Sequence, residues 1–231
     1  FDMKVVLLAG GFGTRLSEYT KTIPKPMINV AGKPMIFHIM KQYAKYGFKD
    51  FYITLGYKGE IIKNFFNKKF FSWNVNLIET GKNTMTGGRL KRIKKFIGKE
   101  TFMMTYGDGL SNVNLKKLLK FHKKNKKLVT LTAVRPPARF GALQLKGDLV
   151  SCFKEKSKID ENWINGGFFV MEPDFFKFLK NDHTILERRP LENIAKKKQL
   201  AAFKHEGFWQ CMDTKKDKDV LNKILSKRKK F

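Results

Sequence analysis

The chain has 231 residues, 42% hydrophobic and 29% charged, enough for one α/β domain with a full core and too little for two. A formal charge of +28 invites a nucleic-acid reading, but the excess is mostly lysine, as in Lys94-Lys95, Lys116-Lys117 and Lys123-Lys124, and no RNP, helix-turn-helix or zinc motif accompanies it. The expectation is a solvated basic surface with no specific nucleic-acid partner; with no apolar run near a membrane span and no secretory leader visible, a cytoplasmic protein without a membrane partner is expected.

The first predicted element is the apolar run 5–9, Val-Val-Leu-Leu-Ala, with the length and β-branched content of a buried parallel strand. It stops at Gly10-Gly11-Phe12-Gly13, where the chain can turn tightly and bring backbone N–H groups against a ligand. Thr14 and Arg15 follow, and Lys25 stands between Pro24 and Pro26. Strand, glycine turn and two cations make a candidate polyphosphate cradle, with Arg15 forking across oxygens and Lys25 a compact point charge. The string is neither a P-loop, since no Lys-Ser/Thr pair closes the turn, nor GxGxxG, since Thr14-Arg15-Leu16 fills the place of the third glycine.

Ile36, Ile39, Met40 and Tyr43 recur at helical spacing after Pro34, and Gly47 closes that helix. A strand is predicted over 51–55, a short helix over 59–66 and a third strand over 74–79. Such β–α alternation implies a parallel, doubly wound sheet with ligands at the strand C-terminal ends. Thr84 to Arg89 opens the next helix; its Gly87-Gly88 pair admits either close approach to a flat ring, with Arg89 reaching over it, or plain helix punctuation. The strand 101–105 ends in Tyr106-Gly107-Asp108-Gly109, where Asp108 is either a cation-holding carboxylate or a common turn residue.

Leu115, Leu118, Leu119 and His122 share one face of the next helix, with His122 read as packing or surface. A strand over 128–134, a hairpin over 142–153 and the run Asn165-Gly166-Gly167-Phe168-Phe169 follow; the last is either a binder of sugar hydroxyls and phosphate or a loop. The hairpin breaks the alternation, so a mixed or antiparallel subsheet is expected over the first half. Helices are predicted from Pro173 and over 187–197, a strand over 199–204, and a terminal helix after Asp213 with Val220, Leu221, Ile224 and Leu225 as its apolar stripe. Cys152 and Cys211 and four scattered histidines form no metal-ligand spacing.

Taken together, Gly10 to Leu16, Pro24 to Met27, 85–92 (MTGGRLKR), 105–109 (TYGDG), 139–143 (RFGAL), 155–156 (EK), 164–170 (INGGFFV), Gly207 to Gln210 and Met212 to Thr214 resemble the sugar-1-phosphate nucleotidyltransferases, and among them the glucose-1-phosphate cytidylyltransferases. The resemblance implies a Rossmann-like mixed, mainly parallel sheet flanked by helices, with a small antiparallel subsheet. It implies one domain over 1–231, with 1–135 mainly nucleotide-binding and 136–231 mainly sugar-phosphate-binding, and a homo-oligomer. The implied substrates are CTP and glucose 1-phosphate, with another family member using UTP, dTTP or GTP as the alternative, and the implied cofactor is Mg²⁺. By the same resemblance Leu8, Ala9, Gly10, Gly11, Phe12, Gly13, Thr14 and Arg15 bind the nucleotide, as do Lys25, Thr84, Arg89 and Gly107. Arg15, Lys25, Asp108 and Asp213 carry the chemistry, Asp108 and Asp213 hold the metal, and Glu155, Lys156, Asn165 and Gly166 hold the sugar phosphate. A donor-only Arg89 aimed at the base edge would favour cytosine, whose N3 and O2 are acceptors.

Overall fold

The computed structural model describes residues 3–67, 72–136, 142–154 and 163–227. Its central sheet has eight strands: β1 (Lys4–Leu8), β2 (Asp50–Leu55), β3 (Asn74–Glu79), β4 (Phe102–Tyr106), β5 (Val129–Val134), β6 (Ile164–Asn165), β7 (Phe169–Met171) and β8 (Leu200–His205). The order is β3-β2-β1-β4-β7-β5-β8, with β6 paired to β5 at Val134 and Ala133. β1 to β4 pair in parallel, as do β5 and β8, whereas β7 runs antiparallel to both its neighbours. The longer helices are α1 (Met35–Lys45), α2 (Gly59–Phe66), α3 (Thr86–Arg92), α4 (Leu115–Asn125), α5 (Arg189–Lys196) and α6 (Lys215–Lys227).

Successive residues of β1 enter opposite layers. Val5 and Leu7 join one core cluster, with Ile36, Ile39 and Met40 of α1; Val6 and Leu8 join the other, with Leu90 of α3 and Ile194 of α5. A strand covered on both faces must be apolar throughout, which is why the run shows no alternation. α4 buries Leu115, Leu118, Leu119 and His122 and turns Lys116, Lys117, Lys120, Lys123 and Lys124 to solvent. His122 is a packing residue, its ring nitrogens within 2.8 Å of Thr130 Oγ1 and 2.9 Å of Glu172 Oε1.

The break in alternation gives the mixed, mainly parallel sheet and the small antiparallel subsheet expected from the sequence. The hairpin Ala142–Lys146 with Leu149–Lys154 is a two-stranded sheet of its own, and the segment after it enters the main sheet as β7, between β4 and β5. Val170 and Met171 are fully buried there, so β7 serves as a core strand. Another short antiparallel pair, Gly109–Ser111 with Trp209–Cys211, lies beyond the end of β4. Among the described residues, no helix is long and apolar enough to cross a membrane.

Candidate active site

A cleft of about 380 Å³ opens at the C-terminal ends of β1 and β4. It is lined by Leu8 to Arg15, by Lys25 and Pro26, by Lys82 to Thr86 with Arg89, and by Tyr106, Gly107 and Asp108. The nucleotide-binding positions expected from the sequence (Leu8 to Arg15, Lys25, Thr84, Arg89 and Gly107) therefore all line one cavity. Gly13 has φ +64°, a left-handed conformation that favours glycine, and a Cβ there would lie 2.9 Å from the Cβ of Lys25. The turn is thus shaped around the lysine stem that passes beneath it.

Lys25 joins the charged groups. Its Nζ donates at 2.7 Å to Asp108 Oδ2 and at 2.7 Å to Asp213 Oδ1, and Arg15 Nη1 donates at 2.6 Å to Asp213 Oδ2. The four residues assigned the chemistry meet here, although 198 positions separate Arg15 from Asp213. The short pair beyond β4 brings the two aspartates together: Cys211 stands opposite Gly109, and Met212 N–H donates to Asp108 O at 2.8 Å. Burial disfavours the Lys25 ammonium, but the two carboxylates outweigh it and hold the pKa above the ordinary lysine value. Burial pushes Asp213 up, and the bonds and charges of Lys25 and Arg15 bring it below the ordinary carboxylate value. The Arg15 side chain is 71% exposed, so its remaining donors are open to solvent.

The carboxylates of Asp108 and Asp213 suit a divalent cation. Both touch one ammonium, so their oxygens converge on a single cation-sized point, and oxygen donors match hard ions such as Mg²⁺. Among the described residues no group of three or more acidic, His or Cys side chains could hold a metal. Two carboxylates with the rest of the shell from substrate phosphates and water is the usual Mg²⁺ arrangement.

Arg89 lines the cleft and directs its Nη1 and Nη2 donors to backbone and side-chain acceptors of the protein. Nη1 donates to Leu55 O (3.1 Å), Thr80 Oγ1 (2.8 Å) and Gly81 O (2.7 Å), and Nη2 to Gly10 O (2.8 Å) and Lys82 O (3.2 Å). These bonds make a clamp across the C-terminal ends of β1, β2 and β3, because acceptors from all three converge on one buried cation. Burial, with the nearby Arg92 charge, lowers its pKa. A Cβ at Gly10 would fall 2.2 Å from Arg89 Nη1, and one at Gly56 2.4 Å from the same atom, so both glycines make room for the guanidinium.

Gly87 and Gly88 likewise pack against protein. Their N–H groups donate to Thr184 O at 2.9 and 3.1 Å, and a Cβ on Gly88 would lie 2.5 Å from Asp182 O. The close approach read from this pair is to the 182–184 segment and not to a flat ring. Thr84, predicted from the sequence, lines the cleft and is buried.

The sugar-phosphate positions are only partly in view. Glu155 and Lys156 lie outside the described residues. Asn165 Nδ2 lies 3.4 Å from the Tyr106 hydroxyl, beside the cleft, while Gly166 is bound through its backbone to Thr132 O and to Trp209 Nε1. Sequence reasoning missed Glu187, whose carboxylate accepts from Tyr106 Oη at 2.6 Å and Thr86 Oγ1 at 2.8 Å and so bridges two parts of the cleft lining. No spacing rule connects position 187 to 86 or 106, so only the folded chain exposes this contact.

A mainly parallel sheet with a glycine turn, two cations and two converging carboxylates at its strand ends defines a protein that handles nucleotide phosphates. The family described as nucleotidyl transferase matches residues 4–218, and the chain belongs to that family. It is 45% identical to the glucose-1-phosphate cytidylyltransferase of Salmonella typhimurium over 98% of this chain and 97% of that one. It is 30% identical to the mannose-1-phosphate guanyltransferase of Saccharomyces cerevisiae, over 95% of this chain and 63% of that one. The fold is similar to that of a UDP-glucose pyrophosphorylase complexed with UDP-glucose, with a TM-score of 0.77 at 19% identity, covering 99% of this chain and all of that one.

Proposed function

We propose that the protein transfers a cytidylyl group from CTP to α-D-glucose 1-phosphate, giving CDP-glucose and pyrophosphate. The observation that carries this reading is 45% identity to a glucose-1-phosphate cytidylyltransferase across nearly the whole of both chains, against 30% to a guanyltransferase of the same family. The four charged groups that meet at the cleft support the chemistry.

In this reading a phosphate oxygen of glucose 1-phosphate attacks the α-phosphorus of CTP in line. The new phosphorus–oxygen bond forms as the bond to the β-phosphate breaks, and pyrophosphate leaves. The attacking oxygen is already anionic, so positioning and charge stabilisation carry the rate and no general base is required. The glycine turn presents backbone N–H groups to the phosphates. Lys25 has three ammonium donors, two of them on carboxylates, and the third serves the α-phosphate. Arg15, open to solvent, receives the pyrophosphate. Asp108 and Asp213 would hold Mg²⁺, which when bound neutralises charge on the α-phosphate.

Residues 1–135 serve mainly the nucleotide, while Glu155, Lys156, Asn165 and Gly166 of the second half serve the sugar phosphate. Asp213, also from the second half, would join Asp108 in holding Mg²⁺. The enzyme works in the cytoplasm as a homo-oligomer in this reading.

Pyrophosphate release tests the proposal directly, with α-D-glucose 1-phosphate, Mg²⁺ and CTP, UTP, dTTP, ATP or GTP supplied in turn. Turnover with CTP at least tenfold above the others is expected. A preference for another nucleotide overturns the base assignment, and no release with any of the five overturns the sugar phosphate.

A further inference from the structure

We propose that Asp217, which lies outside the cleft, is the positioning residue for Asp213. The inference rests on the reading above, in which Asp213 holds the metal. Asp217 is only 8% exposed in a strongly basic chain. Its Oδ2 accepts the N–H of Asp213 at 3.1 Å and of Thr214 at 2.9 Å, while Thr214 Oγ1 accepts the N–H of Asp217 at 3.2 Å. Thr214 and Asp217 thereby form a reciprocal cap on the first turn of α6, of the Thr-x-x-acid kind. Gln210, also buried, donates to Asp217 Oδ1 at 3.1 Å and to Cys211 O at 2.9 Å.

One buried carboxylate therefore ties three things together. It holds the strand Trp209–Cys211 that pairs beside Asp108, the backbone N–H of Asp213, and the start of α6. Both of its oxygens are spent on protein donors, so it acts through Asp213 and is not itself a cation ligand. The arrangement leaves Asp213 with Oδ1 on Lys25 and Oδ2 toward Arg15, the orientation in which its carboxylate converges with that of Asp108. Groups that orient a metal-holding side chain typically change metal affinity by about 10- to 100-fold when removed.

The test is Mn²⁺ binding, followed by electron paramagnetic resonance in the presence of CTP, on the full chain and on Asp217→Ala, Asp217→Asn and Asp213→Asn. Asp217→Ala is expected to weaken Mn²⁺ about tenfold. It should also lower kcat, with partial recovery at raised Mg²⁺, and leave the KM for glucose 1-phosphate unchanged. Asp217→Asn keeps an oxygen for both backbone N–H groups, and a flipped Gln210 amide can meet its NH₂, so it is expected to restore most of the affinity. If Asp217→Ala does not fold, Gln210→Ala, which frees Asp217 Oδ1 without touching the helix start, is expected to weaken Mn²⁺ in the same direction by a smaller factor. Unchanged Mn²⁺ affinity in folded Asp217→Ala, or in Gln210→Ala where that variant is used, beside a clear loss in Asp213→Asn overturns the positioning role alone. Unchanged affinity in Asp213→Asn overturns the metal assignment itself and the inference with it.

Discussion

Replacing Arg89 with methionine separates a clamp from a base reader. Methionine reproduces the apolar stem only as far as Nε, so the guanidinium that lies beside Gly10 and Gly56 is lost and its space is left unfilled. Three of the bonds lost, to Gly10 O, Leu55 O and the Thr80 hydroxyl, are buried; those to Gly81 O and Lys82 O are part-buried and regain water. Hydrogen bonds from a charged donor contribute about 1.5–3 kcal/mol each, while Gly10 O keeps the Tyr57 N–H and Leu55 O keeps the Thr80 N–H and hydroxyl, so no buried acceptor is left unmet. Against this stands the desolvation of a cation that the variant no longer buries. A net loss of about 3 kcal/mol follows, and for a chain of this size that lowers the melting temperature by about 6–12 °C. Thermal unfolding followed by circular dichroism, with CTP titration on the same variant, gives the answer. A melting temperature within about 2 °C of wild type, coupled to a large rise in the KM for CTP, would refute the clamp and return Arg89 to the base.

The charged junction gives further expectations. Lys25→Ala, Arg15→Ala and Asp213→Asn are each expected to cut kcat a hundredfold or more in the pyrophosphate assay while the far-ultraviolet circular dichroism spectrum stays that of wild type. The Lys25 pKa is raised above 10.5, so its stabilising contribution is full below 10.5 and fades as pH climbs through the raised value. The Asp213 pKa is lowered below 3.8, so its contribution is present above 3.8 and fades as pH falls through the lowered value. The difference in melting temperature between wild type and Lys25→Met is therefore expected to be flat from about pH 5 to 9 and to shrink at both extremes. A difference that changed steadily through neutral pH would show that some other group controls the junction. Cys211 is half-buried, and burial first, then the charges of Asp213, Asp108 and Asp217, push its thiol up to about 12. Iodoacetamide at pH 8 is expected to leave Cys211 unmodified in the folded protein, as mass spectrometry of tryptic peptides would report.

The elements that carried periodic signals came through the sequence well. The helix 59–66 and strand 74–79 match their predicted bounds, and the apolar face of α1 is the one read from Ile36, Ile39, Met40 and Tyr43. The strand–glycine–Arg15–Lys25 string marked the cleft because its parts are neighbours in sequence as well as in space. Asp108 drew notice by its place past a strand, as a cation-holding carboxylate or a turn residue, whereas Asp213 and its meeting with Asp108 came only through resemblance, since the pair that joins them is three residues against three, too short for any alternation to register. The cap at Thr214 and Asp217 was different: the Thr-x-x-Asp spacing was on view before an apolar stripe, and its consequence for Asp213 needed only the rule that such an acid reaches back to the helix start.

The glycines show why the remainder was hidden. Gly10 sits in a turn of the kind that receives phosphates, and its sequence context invites that explanation alone. In the folded chain the space it leaves on one side is filled by Arg89, whose acceptors sit at positions 10, 55, 80, 81 and 82, which share no period. Gly88 makes the same point from the other direction, since the atom that needs its missing Cβ is a backbone oxygen 94 positions further along the chain, at Asp182. A glycine states that something comes close; it carries no record of what. The identity of the neighbour is set by tertiary packing, so a side chain next to a ligand cleft is best assigned by counting where its donors go. By that count Arg89 Nη1 and Nη2 serve the frame that joins three strand ends, and the cleft offers further donors and acceptors in the 82–84 loop and the backbone of the glycine turn.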